Sequence, residues 1–325
     1  MTPTFSPTDF FALGPLIVLF VFSLLLLLVE TFVKEAKKSI PLIAYIGLFI
    51  ALYVATISPA STNPLLTSFL KFDSLSRFFT IFFLAIGIAT TLLTSAFFKR
   101  FEATQGEYYF LLFSALFGLL LISSSNDFLT LFIGLETLSI ALYVLCGYMK
   151  KWTNSHEAAF KYFLLGSLST AFFLFGIALI YGAVGTTRFD LLLPTLQKLP
   201  SANQTLFLSG TALVTLGLFF KAAVVPFHIW APDVYAGAPT PVTAFMAVAT
   251  KAGAFAALIR LFLQTFQQFD PHWNQAIALF AYPTLIYANF VALRQTQLRA
   301  FFAYSGISHA GYLLLPLAAA TTASA

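Results

Sequence analysis

Ten stretches of this 325-residue chain, at about 11–29, 40–57, 77–98, 108–124, 128–148, 158–184, 205–230, 242–262, 275–293 and 298–319, have the length of a bilayer-crossing helix and hold almost no charge. An amphipathic surface helix would break such a run with polar residues every three or four positions. A membrane β-barrel would need segments of about ten residues that alternate polar and apolar, and these runs do not alternate. The expected fold is all-α: a polytopic membrane protein of about ten transmembrane helices with short connections. Charged residues are 9% of the chain, against about a quarter in soluble domains, which leaves no room for a sizeable extramembrane domain. The first run is longer than a signal-peptide core and no Lys or Arg precedes it, so it reads as a first span and not as a cleaved leader.

The lone cysteine, Cys146, excludes a disulfide framework, a paired-cysteine zinc site and an iron–sulfur motif. His156, His228, His272 and His309 are far apart and match no metal spacing, and there is no Gly-x-Gly-x-x-Gly or Walker loop. No cofactor and no metal are therefore expected in this chain. The net charge of +5 does not point to nucleic acid, because the basic residues are scattered among the connections.

Membrane topology accounts for those basic residues better. Connections after the odd-numbered runs hold Lys34, Lys37, Lys38, Lys99, Arg100, Lys150, Lys151, Lys161, Arg294 and Arg299. The opposite side holds only Lys71, Arg77, Arg188, Lys198 and Arg260. The positive-inside rule then puts the N-terminus on the outer face.

Two lysines remain. Lys221 lies in the seventh run and Lys251 near the middle of the eighth, too deep to snorkel. Each costs about 2.5–3.5 kcal/mol at the centre of a span on insertion scales, so both must face inward and find partners. Glu136, about eight residues into the fifth run, is the only carboxylate well inside a run and the best candidate partner. A lysine in apolar surroundings holds its proton less tightly, and a nearby carboxylate restores the hold. Movement of Glu136 relative to Lys221 could thus load and unload a proton without any redox group. Pro226 follows Lys221 in the same run and would break the helix by freeing the carbonyl of Ala222. Broken helices at membrane depth are tolerated where they line a protein-enclosed or watered cavity. The plainer alternatives are an ion pair that only packs helices, interfacial snorkelling for Lys161, and hydrogen-bonded structural roles for His228 and His309 in place of a proton relay. The forty phenylalanines are packing and lipid-facing mass.

Three segments carry a resemblance. Glu157-Ala-Ala-Phe-Lys-Tyr-Phe-Leu-Leu-Gly166, and above all the run from Lys221-Ala-Ala-Val-Val-Pro-Phe-His-Ile-Trp-Ala-Pro-Asp-Val-Tyr-Ala-Gly-Ala-Pro-Thr-Pro-Val to Lys251, resemble the subunit N family of the proton-pumping NADH-quinone oxidoreductase, respiratory complex I, called subunit 2 in organelles. Tyr304-Ser-Gly-Ile-Ser-His-Ala-Gly-Tyr312 is similar to that family's tenth-span signature. The resemblance extends over essentially the whole chain.

It implies an antiporter-like fold of two inverted five-helix repeats, each with a broken helix. Residues 1–100 would then be N-terminal helices 1–3, 101–263 the first repeat (helices 4–8, helix 7 broken), and 264–325 the start of a second, incomplete repeat. The family has about fourteen spans, so spans 11–14 are expected on a continuation of the chain or on a separate polypeptide. By motif, Glu136, Lys221, Lys251 and Lys161 fall on the family's proton-translocating residues. The implied function is that of a translocase subunit: proton movement coupled to electron transfer from NADH to quinone. NADH, FMN, iron–sulfur clusters and quinone would sit on partner subunits. Implied partners are the other membrane and peripheral subunits, sister antiporter-like subunits included, in a bacterial inner membrane in preference to an organellar one. A multi-subunit cation/proton antiporter and a scaffolding membrane subunit are the competing readings.

Overall fold

The structure is a computed structural model that describes residues 5–33, 36–101, 105–196, 200–266 and 273–320. Lys34, Lys198 and His272 lie outside the described residues. In order, the helices are α1 (Pro7–Ala12), α2 (Gly14–Phe32), α3 (Ala36–Ile57), α4 (Pro64–Phe69), α5 (Ser74–Arg100), α6 (Gly106–Ser124), α7 (Phe128–Cys146), α8 (Thr153–Val184), α9 (Phe189–Leu196), α10 (Ser201–Ala222), α11 (Trp230–Gly237), α12 (Thr240–Phe266), α13 (Trp273–Ala292) and α14 (Leu298–Ala320). Nine described helices, α2, α3, α5–α8, α10, α12 and α13, are long and apolar enough to cross a membrane. The tenth expected span is present as α14, a helix of 23 residues. Its Ser305, Ser308, His309 and two glycines dilute its apolar character.

Contacts at the two ends show that successive long helices run up and down. At one end, Ser61 Oγ and Asn63 Nδ2 donate to the carboxylate of Asp9 at 2.6 and 2.9 Å. These bonds, that of Asn63 foremost, hold the Asp9 carboxyl well below the usual carboxylate range. At the same end Lys71 N–H donates to the Ser124 carbonyl, and Phe128 N–H to that of Thr187. At the other end the Gly106 N–H donates to Glu30 Oε2 at 2.7 Å, and Trp152 packs edge-on against Phe97 and Phe101.

Arg260 is the charge that the basic-residue count above misplaces. It is buried inside α12, 1% exposed, and not in a connection. Its two terminal nitrogens grip Asp73, the N-cap of α5, at 2.9 and 3.0 Å, and one of them also reaches the Ser123 carbonyl at 2.8 Å. A fork of five donors suits this job, since it can serve a carboxylate and a helix-end carbonyl together.

Several helix pairs approach so closely that only glycine fits. A Cβ on Gly118 of α6 would lie 2.7 Å from the Gly134 carbonyl oxygen of α7, and one on Gly210 of α10 would lie 2.7 Å from the Gly176 carbonyl of α8. Apolar burial does little to drive helices together in lipid, so such close backbone packing supplies the association. Gly210→Leu is expected to cost about 1–3 kcal/mol by overpacking the α8–α10 contact. The check is the thermal midpoint in detergent, with exposed Leu206→Ala as control.

Candidate functional site

The site is built where α10 stops. Ala223 takes a left-handed conformation (φ 59°), and its N–H donates back into the last turn of the helix, ending α10 at Ala222. The break therefore begins three residues before Pro226, which is joined to Val225 by a cis peptide bond. The Phe220 carbonyl, which accepts from the Ala223 N–H at 3.1 Å, also accepts from the indole N–H of Trp230, at the start of α11, at 2.9 Å. Across the gap, the Val225 N–H donates to Thr284 Oγ1 of α13 at 3.1 Å. The seventh run thus resolves into α10 and an irregular link that leads into the short α11, with protein groups bonding backbone at the break, the kind of partner that membrane depth requires.

Lys221 lies in the last turn of α10, 4% exposed, where the negative end of the helix dipole favours a cation. Its ammonium donates to Ser139 Oγ of α7 at 2.7 Å. The rings of Tyr143, Tyr162 and Phe220 surround it at 5.5, 5.5 and 5.7 Å, within cation–π range. The Ser139 hydroxyl in turn donates to the Leu135 carbonyl. Glu136, one turn earlier on the same face of α7, is half-buried and accepts from Thr170 Oγ1 of α8 at 2.7 Å. No direct ion pair joins Glu136 and Lys221 among the described residues. Both instead line one small cavity with Ser169, Thr170 and Gly217, of about 10 Å³, room for roughly one water.

Lys251 follows a π-helical turn, Met246–Thr250, within α12. Turns of this kind concentrate at functional sites. Its ammonium is 6% exposed as a residue, lies 5.9 Å from the Tyr235 ring, and finds no hydrogen-bond partner among the described residues. Between the two lysines stands a stack of rings. Tyr162 lies against Trp230 at 4.7 Å, and Trp230 meets Tyr235 at 5.8 Å. The hydroxyls of Tyr143, Tyr162 and Tyr235 are also buried.

The other candidates lie apart. Lys161 is 41% exposed and pairs with Glu157 at 2.8 Å and Asp233 at 2.6 Å. His228 is buried beside the break, edge-on to Tyr287 at 4.9 Å. His309 is on an exposed face of α14, 6.3 Å from the Tyr312 ring. Ser139, Thr170 and the aromatic box were not singled out from sequence. The available signal was helical spacing, since Ser139 is three residues from Glu136. Among the described residues no group of three or more His, Cys, Asp or Glu is placed to hold a metal.

The family described as NADH:quinone oxidoreductase/Mrp antiporter, TM, matches residues 125–325, which include all of these groups. NADH-quinone oxidoreductase subunit N of Protochlamydia amoebophila (strain UWE25) is 57% identical over 98% of this chain and 67% of its own length. Subunit N 1 of Chloroherpeton thalassium is 42% identical over 96% of this chain and 66% of its own. A chain of respiratory complex I from Thermus thermophilus superposes with a TM-score of 0.77 at 35% identity, over 93% of this chain and 64% of that one. The chain thus spans about two thirds of the length of these relatives. With a family match over more than half of its residues, it belongs to the NADH:quinone oxidoreductase/Mrp antiporter transmembrane family.

Proposed function

We propose that this chain is a membrane-arm subunit of an NADH-quinone oxidoreductase and takes part in proton translocation coupled to electron transfer from NADH to quinone. One observation carries the reading: a buried ammonium, Lys221, is held by a neutral hydroxyl while its nearest carboxylate, Glu136, is turned to a different helix. A fixed packing pair would put the two charges in contact, because an unpaired buried charge is strongly destabilising. Separation across a small cavity leaves the pair free to open and close, and so to change the hold of Lys221 on its proton. Lys251, unpaired at the far end of the ring stack, is the next station. Lys161, His228 and His309 serve as entry or relay groups. Residues 101–263 form the first antiporter-like repeat, with 1–100 before it and 264–325 opening the second. Nicotinamide, flavin, iron–sulfur and quinone chemistry belong to partner subunits. The membrane is a bacterial inner membrane with the N-terminus on its outer face.

Charge removal separates this from scaffolding. In the assembled complex, Glu136→Gln is expected to slow NADH-driven proton uptake at least about tenfold, less than the roughly 100-fold or more that a group transferring the proton itself contributes, because Glu136 acts through Lys221. Adding Lys221→Met should not bring uptake back. Recovery in the double variant would mean that the two charges only hold helices together. An antiporter module would show Na⁺ or K⁺ exchange without NADH oxidation and would co-purify with transporter subunits.

A further inference from the structure

We propose that Gly306 of α14 is a positioning residue for Lys251: the side chain it lacks is the space that the Lys251 ammonium occupies at the contact between α12 and α14. This inference rests on the proton-translocation reading and assigns a residue outside the charged set. A Cβ built on Gly306 would stand 2.6 Å from Lys251 Nζ, with Lys251 Cε next at 3.9 Å, and nothing else within 4 Å. A contact of 2.6 Å is well inside van der Waals range, so one of the two must yield. The ammonium is the end of a flexible four-carbon chain, whereas Gly306 is backbone in a 23-residue helix. The lysine therefore moves and the helix stays.

The direction of that movement matters because the ammonium has no anchor. It finds no hydrogen-bond partner among the described residues, and Tyr235 of α11 offers it only a ring contact at 5.9 Å. Its place against α14 is thus set by shape alone. The other crowded glycines of this part of the fold differ in kind. Gly311, also on α14, would bring a Cβ to 2.9 Å from Leu285 Cγ of α13, an apolar packing contact with no charge involved. A methyl group at position 306 displaces the ammonium from its place against α14 while leaving the helix pair intact.

The test is a mutant cycle in the assembled complex in membrane vesicles, reading protons taken up per NADH oxidised alongside NADH-quinone activity and the amount of complex. Gly306→Ala is expected to assemble and to lower protons per NADH to the level of Lys251→Ala. Gly306→Ala combined with Lys251→Ala should fall no further, because the methyl group acts only through the ammonium. Gly311→Ala is the control for crowding: a structural defect reduces the amount of complex but not protons per NADH. If Gly306→Ala fails to assemble, restored assembly in the double variant supports the proposal and its absence overturns it. Normal protons per NADH in Gly306→Ala, or a further drop in the double variant, also overturns it. Normal pumping by Lys251→Ala would instead remove the reading on which it rests.

Discussion

A Lys221→Ala variant of the assembled complex is expected to lose proton transfer through this chain by at least about 100-fold, the lower range of what a positioned proton-transfer group contributes, while the subunit still folds and assembles. Folding should survive because the variant strands no partner. Ser139 keeps its bond to the Leu135 carbonyl, and Tyr143, Tyr162 and Phe220 lose only a cation they hold at ring distance. Removing the ammonium even relieves the burial of a charge inside the bilayer. Lys221→Arg should fail as well, since a planar guanidinium cannot take the place of a compact ammonium inside three rings. Ser139→Ala should be intermediate: the lysine keeps its box but loses its one hydrogen bond. Proton uptake is followed with a pH indicator against NADH oxidation in the same vesicles. Unimpaired uptake in Lys221→Ala would remove Lys221 from the pathway.

The second large effect is on stability. Arg260→Leu is expected to destabilise the fold by about 3–5 kcal/mol, as breaking a buried ion pair from one side does. The loss arises because Asp73 and the Ser123 carbonyl both give up the same donor at the junction of α5, α6 and α12. Replacing both charges, Asp73→Leu with Arg260→Leu, should recover much of it. Arg260→Lys should not, because one ammonium cannot make the two-point grip. The clamp also has a pH signature. Burial alone would raise the Asp73 carboxyl, and the Arg260 hydrogen bond with its helpers outweighs burial, so the group sits below its usual value when folded. Its contribution is therefore complete above the unfolded value of about 3.9 and lost as pH falls through the folded value. Thermal midpoints in detergent from pH 7 to 3 check this. The wild-type chain should lose more over the acidic end of that range than the double variant.

Much of this was legible from spacing. Long apolar runs fix helices in lipid because no other element satisfies its own backbone there, so the long helices fell where the runs lay. The same logic singled out Lys221, Lys251 and Glu136, since charge in a span is costly wherever the helix is. Partners were less legible. Glu136 is the only carboxylate well inside a run, yet Lys221 bonds Ser139, because side chains three residues apart share a helix face and only the rotation of α7 decides which one arrives. The helix break was assigned to Pro226, but α10 yields first at Ala223, a position with no sequence mark. Arg260 was counted with the connections because it falls near the end of its run. What buries it is Asp73, 187 residues away, a pairing that no local pattern announces.

The length of α8 has a further consequence. Its 32 residues extend for about 48 Å at 1.5 Å per residue, against a hydrocarbon layer of about 30 Å. At a typical tilt of about 20°, roughly ten residues must project beyond the acyl chains. The charged side chains of α8, Glu157 and Lys161, both fall within its first nine residues, so hydrophobic mismatch pushes that end out of the oil. The exposed cluster of Glu157, Lys161 and Asp233 then stands at the level of the lipid headgroups, where the bilayer's own thickness sets how far the ion pairs stand above the slab in which Lys221 and Lys251 are buried.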